Sequence, residues 1–249
     1  MSLFKTPLEP ELKSNIINHL IDEWGIGTHD LIINEFTVGD LSRRVDLALI
    51  KSNRLFAFEV KSDADSLVRL QGQVDKYLTY FDKVIVVTAP KHTRKALEIT
   101  PLHVAIWEIS NGKISIKRKG RIKAVNSKKE LIEMMTAVEL RKLARQLDIK
   151  TLNIRRKTLE TALMLAPCYK LRDSAINFIK NRYKSRNDKF FEKICEGNST
   201  PDDLEYLKLS RRNVKTAEVI NIECFISALE ELKSAHEKNH KVTNMVVNV

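Results

Sequence analysis

The run Arg54–Lys61 (RLFAFEVK) contains an acid and a base two residues apart, Glu59 and Lys61. Short and apolar, it reads as a strand, and strand side chains alternate between two faces. Phe56, Phe58 and Val60 share one face, and Leu55, Ala57, Glu59 and Lys61 share the other. Glu59 and Lys61 then stand roughly 6.5–7 Å apart along the strand. The run before it, Arg43–Ile50 (RRVDLALI), sets Val45, Leu47 and Leu49 on one face and Arg44, Asp46 and Ala48 on the other. Pairing of the two strands around a tight Ser52–Asn53 turn brings Asp46 beside Glu59. Two carboxylates at one spot repel unless a cation lies between them. Mg²⁺ takes hard oxygen ligands and keeps several waters. It can activate one of those waters against a phosphodiester, and a nearby lysine can neutralise the charge that develops. The plainer reading of Glu59 and Lys61 alone is a charged strand end.

The elements that position these residues follow from periodicity. PELKSNIINHLIDEW (residues 10–24) repeats Leu12, Ile16, Ile17, Leu20 and Trp24 at helical spacing and stops at Gly25 and Gly27. Leu31–Val38 reads as a strand that completes a three-stranded meander. Residues 64–81 form a helix with Leu67, Leu70, Val74, Tyr77, Leu78 and Phe81 on its stripe, and Asp63 or Asp65 caps its start. Lys83–Thr88 is a buried strand, 91–99 a short helix, and 103–109 and 113–118 further strands. From residue 125 the pattern turns helical, at 128–147, 157–166, 170–196 and 214–238. Seven glycines and six prolines in 249 residues suit such a helix-rich chain. The reading is an α/β domain over 1–123 and an all-α region over 124–249, divided in the basic stretch Lys117–Lys123 (KRKGRIK).

The order of Asp46, Glu59-Val60-Lys61 and a following amphipathic helix resembles the PD-(D/E)XK nuclease superfamily. Gln73 and Tyr77, at i and i+4 on that helix, look like the QxxxY motif of its RecB-like branch. The wider run FEVKSDADSLVRLQGQVDKYLTYFDKVIVV resembles small bacterial proteins of this kind with a helical C-terminal extension. The resemblance spans residues 10–110 and implies a restriction-endonuclease-like α-β-β-β-α-β core. It implies that Asp46, Glu59 and the Val60 carbonyl hold Mg²⁺ or Mn²⁺, that Lys61 is the catalytic lysine, and that Gln73 orients the site or the DNA backbone. Glu35 is the further acid that such families add, with Glu11 and His19 behind it. One departure is Val45, where the motif has proline. The implied activity is a metal-dependent nuclease, a hydrolase or endonuclease acting on DNA, whose cleavage is lost with Asp46, Glu59 or Lys61. The alternative is a non-catalytic DNA- or RNA-binding or scaffold protein on the same fold. Tyr77 and Gln73 also fit the core side of their helix, Glu35 a solvent-facing strand position, and Arg44 an ion pair with Asp46.

The formal charge of +11 suits either a nucleic-acid partner or a soluble basic protein with solvated lysines; the resemblance implies DNA, with RNA left open. In the helical region, Val138–Leu147 and RRKTLETAL resemble a SAP-type helix–extension–helix module without its connector glycine. Arg155, Arg156 and Lys157 then stand at a helix start, which favours phosphate. An ordinary helical hairpin is the other reading. Lys180, Arg182 and Lys184 form a further basic cluster around Tyr183, suited to tracking a backbone with a base stacked on the ring, or to a solvated face. The helix Glu223–Lys238 packs internally or forms a dimer seam, and double-strand cutting by a one-site subunit would favour a homodimer. No apolar run of about 18 residues spans a membrane, and no leader pattern opens the chain. Three scattered cysteines (Cys168, Cys195, Cys224) suit a reducing cytoplasm. No zinc spacing, GxGxxG or P-loop is present.

Overall fold

A computed structural model of the chain describes residues 8–39, 43–195 and 197–209. The helix expected at 214–238, Cys224 and the C-terminal tail lie outside the described residues. Two compact units divide the chain, Met1–Lys208 and Leu209–Val249, and the first contains every element described here. Among the described residues the order is α1 (Glu9–Trp24), β1 (Leu31–Val38), β2 (Arg43–Lys51), β3 (Arg54–Lys61), α2 (Leu70–Tyr80), β4 (Lys83–Thr88), α3 (Pro90–Ile99), β5 (Ala105–Ser110), β6 (Lys113–Arg118), α4 (Lys128–Glu133), α5 (Ala137–Gln146), α6 (Arg156–Leu163), α7 (Cys168–Lys193) and a 3₁₀ helix (Pro201–Leu207). The fold is α/β, built on a six-stranded mixed sheet with strands in sequence order.

Local chemistry explains the topology. Ser52 and Asn53 both take positive φ (49° and 59°). Two such residues make a type I′ turn, whose twist matches that of a hairpin, and they fix the register Lys51↔Arg54 through Leu47↔Phe58. Asn111 and Gly112 do the same between β5 and β6. The helices α2 and α3 return the chain between β3, β4 and β5, which therefore pair in parallel.

One face of the sheet carries Leu47, Leu49, Phe56, Phe58, Val60, Ile85, Val87 and Trp107. It packs against Leu12, Ile16, Ile17 and Leu20 of α1, with Phe190 and Phe191 of α7 and Leu204 and Leu207 of the 3₁₀ helix. The opposite face of β3 carries Glu59 and Lys61, both buried, beside the α2 residues Gln73 and Tyr77. The edge strand β1 is closed by α7: Asn187 accepts from Ile32 N–H at 2.7 Å and donates to Ile32 C=O at 2.8 Å. A side-chain amide thus stands in for a neighbouring strand.

Three expectations need adjusting. The second helix begins at Leu70, not 64, because the Asp65 carboxylate accepts from Ser62 N–H (2.8 Å) and from the Ser62 hydroxyl, which holds the preceding residues in turns. Neither Asp63 nor Asp65 caps it; the N-cap is Arg69, without a side-chain bond. The helix expected at 128–147 breaks before Thr136, which caps α5 in a reciprocal box with Glu139. No helix among the described residues is long and apolar enough to cross a membrane.

Candidate functional site

The β2–β3 ladder ends at Leu47↔Phe58. One step further, the Asp46 carboxylate accepts the Val60 N–H at 2.7 Å. Glu59, 1% exposed, accepts from Lys61 Nζ (2.6 Å), Gln73 Nε2 (2.5 Å) and the Tyr77 hydroxyl (3.0 Å). That hydroxyl also lies 2.9 Å from the Arg44 carbonyl, so its one proton is shared between two acceptors. Burial, then the Glu59 charge, pushes the Tyr77 phenol far above its ordinary value, so it remains a donor. Burial first, then Glu59, also raises the Asp46 carboxyl to about 7, against the opposing pull of Lys13 and the Val60 N–H. Lys13 is itself buried, 2.6 Å from Glu9, 3.3 Å from Asn34 Oδ1 and 4.0 Å from Asp46 Oδ1.

The sequence-selected Asp46, Glu59, Lys61 and Gln73 therefore come together, with Tyr77 as a donor inside the cluster. Val60 contributes its N–H to Asp46, and its side chain joins the core. Glu35 instead pairs with Arg44 (2.9 Å) and Lys208 (3.1 Å), from a left-handed backbone (φ 63°) unusual within a strand. Burial raises its carboxyl, but Lys208, then Arg44 and Lys13, more than reverse this and hold it below the ordinary value. Arg44 thus pairs with Glu35, not Asp46. Glu11 bonds back to Leu8 N–H at the start of α1, and His19 packs edge-on against Trp107. The residues missed are Glu9 and Lys13, whose i, i+4 spacing on α1 was the available signal.

The cluster partly neutralises itself, since Lys61 and Lys13 are protein cations set against Glu59, Asp46 and Glu9. Among the described residues no group of three or more His, Cys, Asp or Glu is arranged to hold a metal ion. Two hard carboxylates are nonetheless present, and Gln73 Oε1 is buried beside them without a hydrogen-bond partner. That donor set fits a hard divalent cation in kind.

Some of the basic residues selected from the sequence are held by internal partners. Arg156 is bound to Glu160 (2.6 Å) and the Met135 carbonyl (2.9 Å). Arg182 is bound to Glu139 (2.6 Å) and the Met134 carbonyl (3.2 Å). Arg172 is bound to Asp82 (2.6 Å). By contrast, Lys150, Arg155 and Lys157 line one cleft of about 490 Å³ formed by the α5–α6 connector and α6, with Thr151, Leu152 and Asn153, and have no acidic partner among the described residues. Lys180 and Lys184 lie on α7, half-buried and exposed, also without an ion pair there. Tyr183 offers no stacking surface: it is buried and meets Phe36 edge-to-face, because it sits on the core stripe of α7.

The family model of bacteriophage P4 protein cII matches residues 3–208. Protein cII of Enterobacteria phage P4 is 35% identical over 213 residues, covering 82% of this chain and 80% of that protein. Among solved structures, the SPO1766 protein of unknown function from Silicibacter pomeroyi is 16% identical, with a TM-score of 0.39 over 57% of this chain and 93% of that one. The family model and the phage P4 relative overturn the nuclease resemblance. The family matched is not the PD-(D/E)XK superfamily, and the expected metal-dependent nuclease, hydrolase and endonuclease activity is withdrawn with it. The physical reason is that the motif is short. An acid-x-lysine strand beside a second acid also makes a buried, partly self-neutralised ion cluster, which needs no catalysis to be stable in a fold.

Proposed function

The chain belongs to the bacteriophage P4 protein cII family, and we propose that it is a nucleic-acid-binding protein, DNA ahead of RNA, that holds phosphates in the cleft of the α5–α6 connector and α6. One observation carries this reading. Lys150, Arg155 and Lys157 converge on a single cleft without acidic partners, whereas Arg44, Arg156, Arg172 and Arg182 are committed to internal ones. An ion pair that already holds a guanidinium leaves little for a phosphate, and a solvated cation beside a groove has everything to give. The N-terminal amides of α6 add partial positive charge at Arg155–Lys157. The chain's net charge of +11 supplies the long-range attraction. The reading includes a cytoplasmic location, where DNA is reached.

Binding of a short labelled duplex, followed by anisotropy against salt, tests it. Each phosphate contact contributes about 0.9 to the slope of log K against log salt. The triple variant Lys150→Ala/Arg155→Ala/Lys157→Ala should lose about 2.7 of that slope and bind at least tenfold more weakly at physiological salt. A folded wild type that does not bind, or a triple variant with an unchanged slope, ends the reading.

The unpartnered Gln73 Oε1 favours a second, independent reading: the Asp46 and Glu59 carboxylates, with the Val60 carbonyl, take up Mg²⁺ or Mn²⁺. Such an ion would relieve the repulsion between the two acids.

A further inference from the structure

The α5–α6 connector places two large apolar side chains in water among the unpaired cations. Leu152 is 99% exposed and Ile154 is 55% exposed. A lone exposed leucine carries little information. Here both residues lie on one short segment, Leu152 lines the cleft, and Lys150, Arg155 and Lys157 flank them. The segment is fastened at both ends. Ile149 N–H bonds to the Ala144 carbonyl (2.9 Å), Asp148 turns the chain with φ 51°, and Arg155 N–H bonds to Asn153 Oδ1 (3.0 Å). An apolar tip on an anchored base, ringed by cations, complements a surface that is anionic outside and apolar within. Duplex DNA is such a surface, with phosphates lining the groove and stacked bases behind them.

Building on the cleft as a DNA site, we propose that Leu152 and Ile154 form a wedge that enters a groove and partly unstacks a base step, while Lys150, Arg155 and Lys157 hold the flanking phosphates. Inserted apolar side chains kink a duplex by about 20–90°, and pyrimidine–purine steps yield most easily. Electrostatic holding and apolar insertion are then separable. The cations set affinity and salt dependence, and the wedge sets the bend.

The experiment uses the full chain and a short duplex with a central TA step, dyes on both ends for energy transfer, and anisotropy read in parallel. Wild type should bind and shorten the end-to-end distance by an amount equal to a bend within that range. Leu152→Ala/Ile154→Ala should keep the wild-type salt slope and thermal stability, since both side chains are exposed, and lose the bend. Wild type that binds without shortening the duplex, or a double variant that bends it equally, overturns the wedge and leaves the cleft reading standing. Wild type that fails to bind overturns both.

Discussion

Glu59 has lost nearly all contact with water yet keeps its oxygens engaged by an ammonium, an amide and a phenol. Asp46 is less well served, with one N–H and a lysine at 4.0 Å, and it carries the cluster's pH dependence. Its carboxyl is raised from 3.8 to about 7 by burial and by Glu59. Between those values the folded chain holds a proton that the unfolded chain has released. Stability is thus fully present below the unfolded value and falls as pH rises through the folded one, by up to about 1.4 kcal/mol per unit. In EDTA, the melting temperature should decline from about pH 4 to 7. Asp46→Asn, which keeps an acceptor for the Val60 N–H, should flatten that decline. Added Mg²⁺ should raise the melting point of wild type above pH 7 and leave Asp46→Asn unmoved. Parallel pH curves for the two proteins would remove Asp46 from this role, and Mg²⁺-insensitive melting would remove the ion.

At the scale of elements, side-chain amides satisfy backbone groups at the edge of the sheet and in the loop before the 3₁₀ helix. Asn187 satisfies both backbone groups of Ile32, as Asn18 does those of Ser199. Asn187→Ala leaves a buried donor and acceptor unmet, at a cost of about 2–4 kcal/mol. Urea unfolding should show a lower midpoint with an unchanged slope, and the Ile32 amide should lose exchange protection. A midpoint equal to wild type would mean that water replaces the amide. Local signals made much of this scale legible. Alternation in RRVDLALI and RLFAFEVK, with a two-residue turn between them, fixed which acids face each other. The TAVE capping box at Thr136 was a local signal too, but the expected helix over 128–147 ran through it. The Asn187–Ile32 bond joins residues 155 apart, and no local pattern announces it. The same holds for the basic residues. Arg156–Glu160 is an i, i+4 pair visible in sequence, but Arg182–Glu139 and Arg172–Asp82 close across 43 and 90 residues. Which cations remained free therefore had to come from the structure.

For the whole molecule, two independent boundaries agree. The family model ends at residue 208, and the compact unit ends at Lys208. Lys208 closes that unit through ion pairs to Glu35 and Glu205. Residues 209–249 contain six Lys or Arg and five Asp or Glu, so removing them leaves a charge of +10 out of +11. The electrostatic drive for a polyanion thus lies almost wholly in the part that the family shares, as do the connector–α6 cleft and the buried acid cluster. A chain cut after Lys208 should therefore fold, melt within about 2–4 °C of the full chain, which corresponds to roughly 1 kcal/mol at this size, and bind duplex DNA with the same salt slope. Calorimetry and the anisotropy titration check the two parts separately. A slope lower by 1 or more would assign a phosphate contact to residues 209–249. Unfolding on truncation would show that the first unit needs the second. An intact slope with an intact fold would confine recognition to Met1–Lys208, where the triple variant separates Lys150, Arg155 and Lys157 from other unpaired cations such as Lys180 and Lys184.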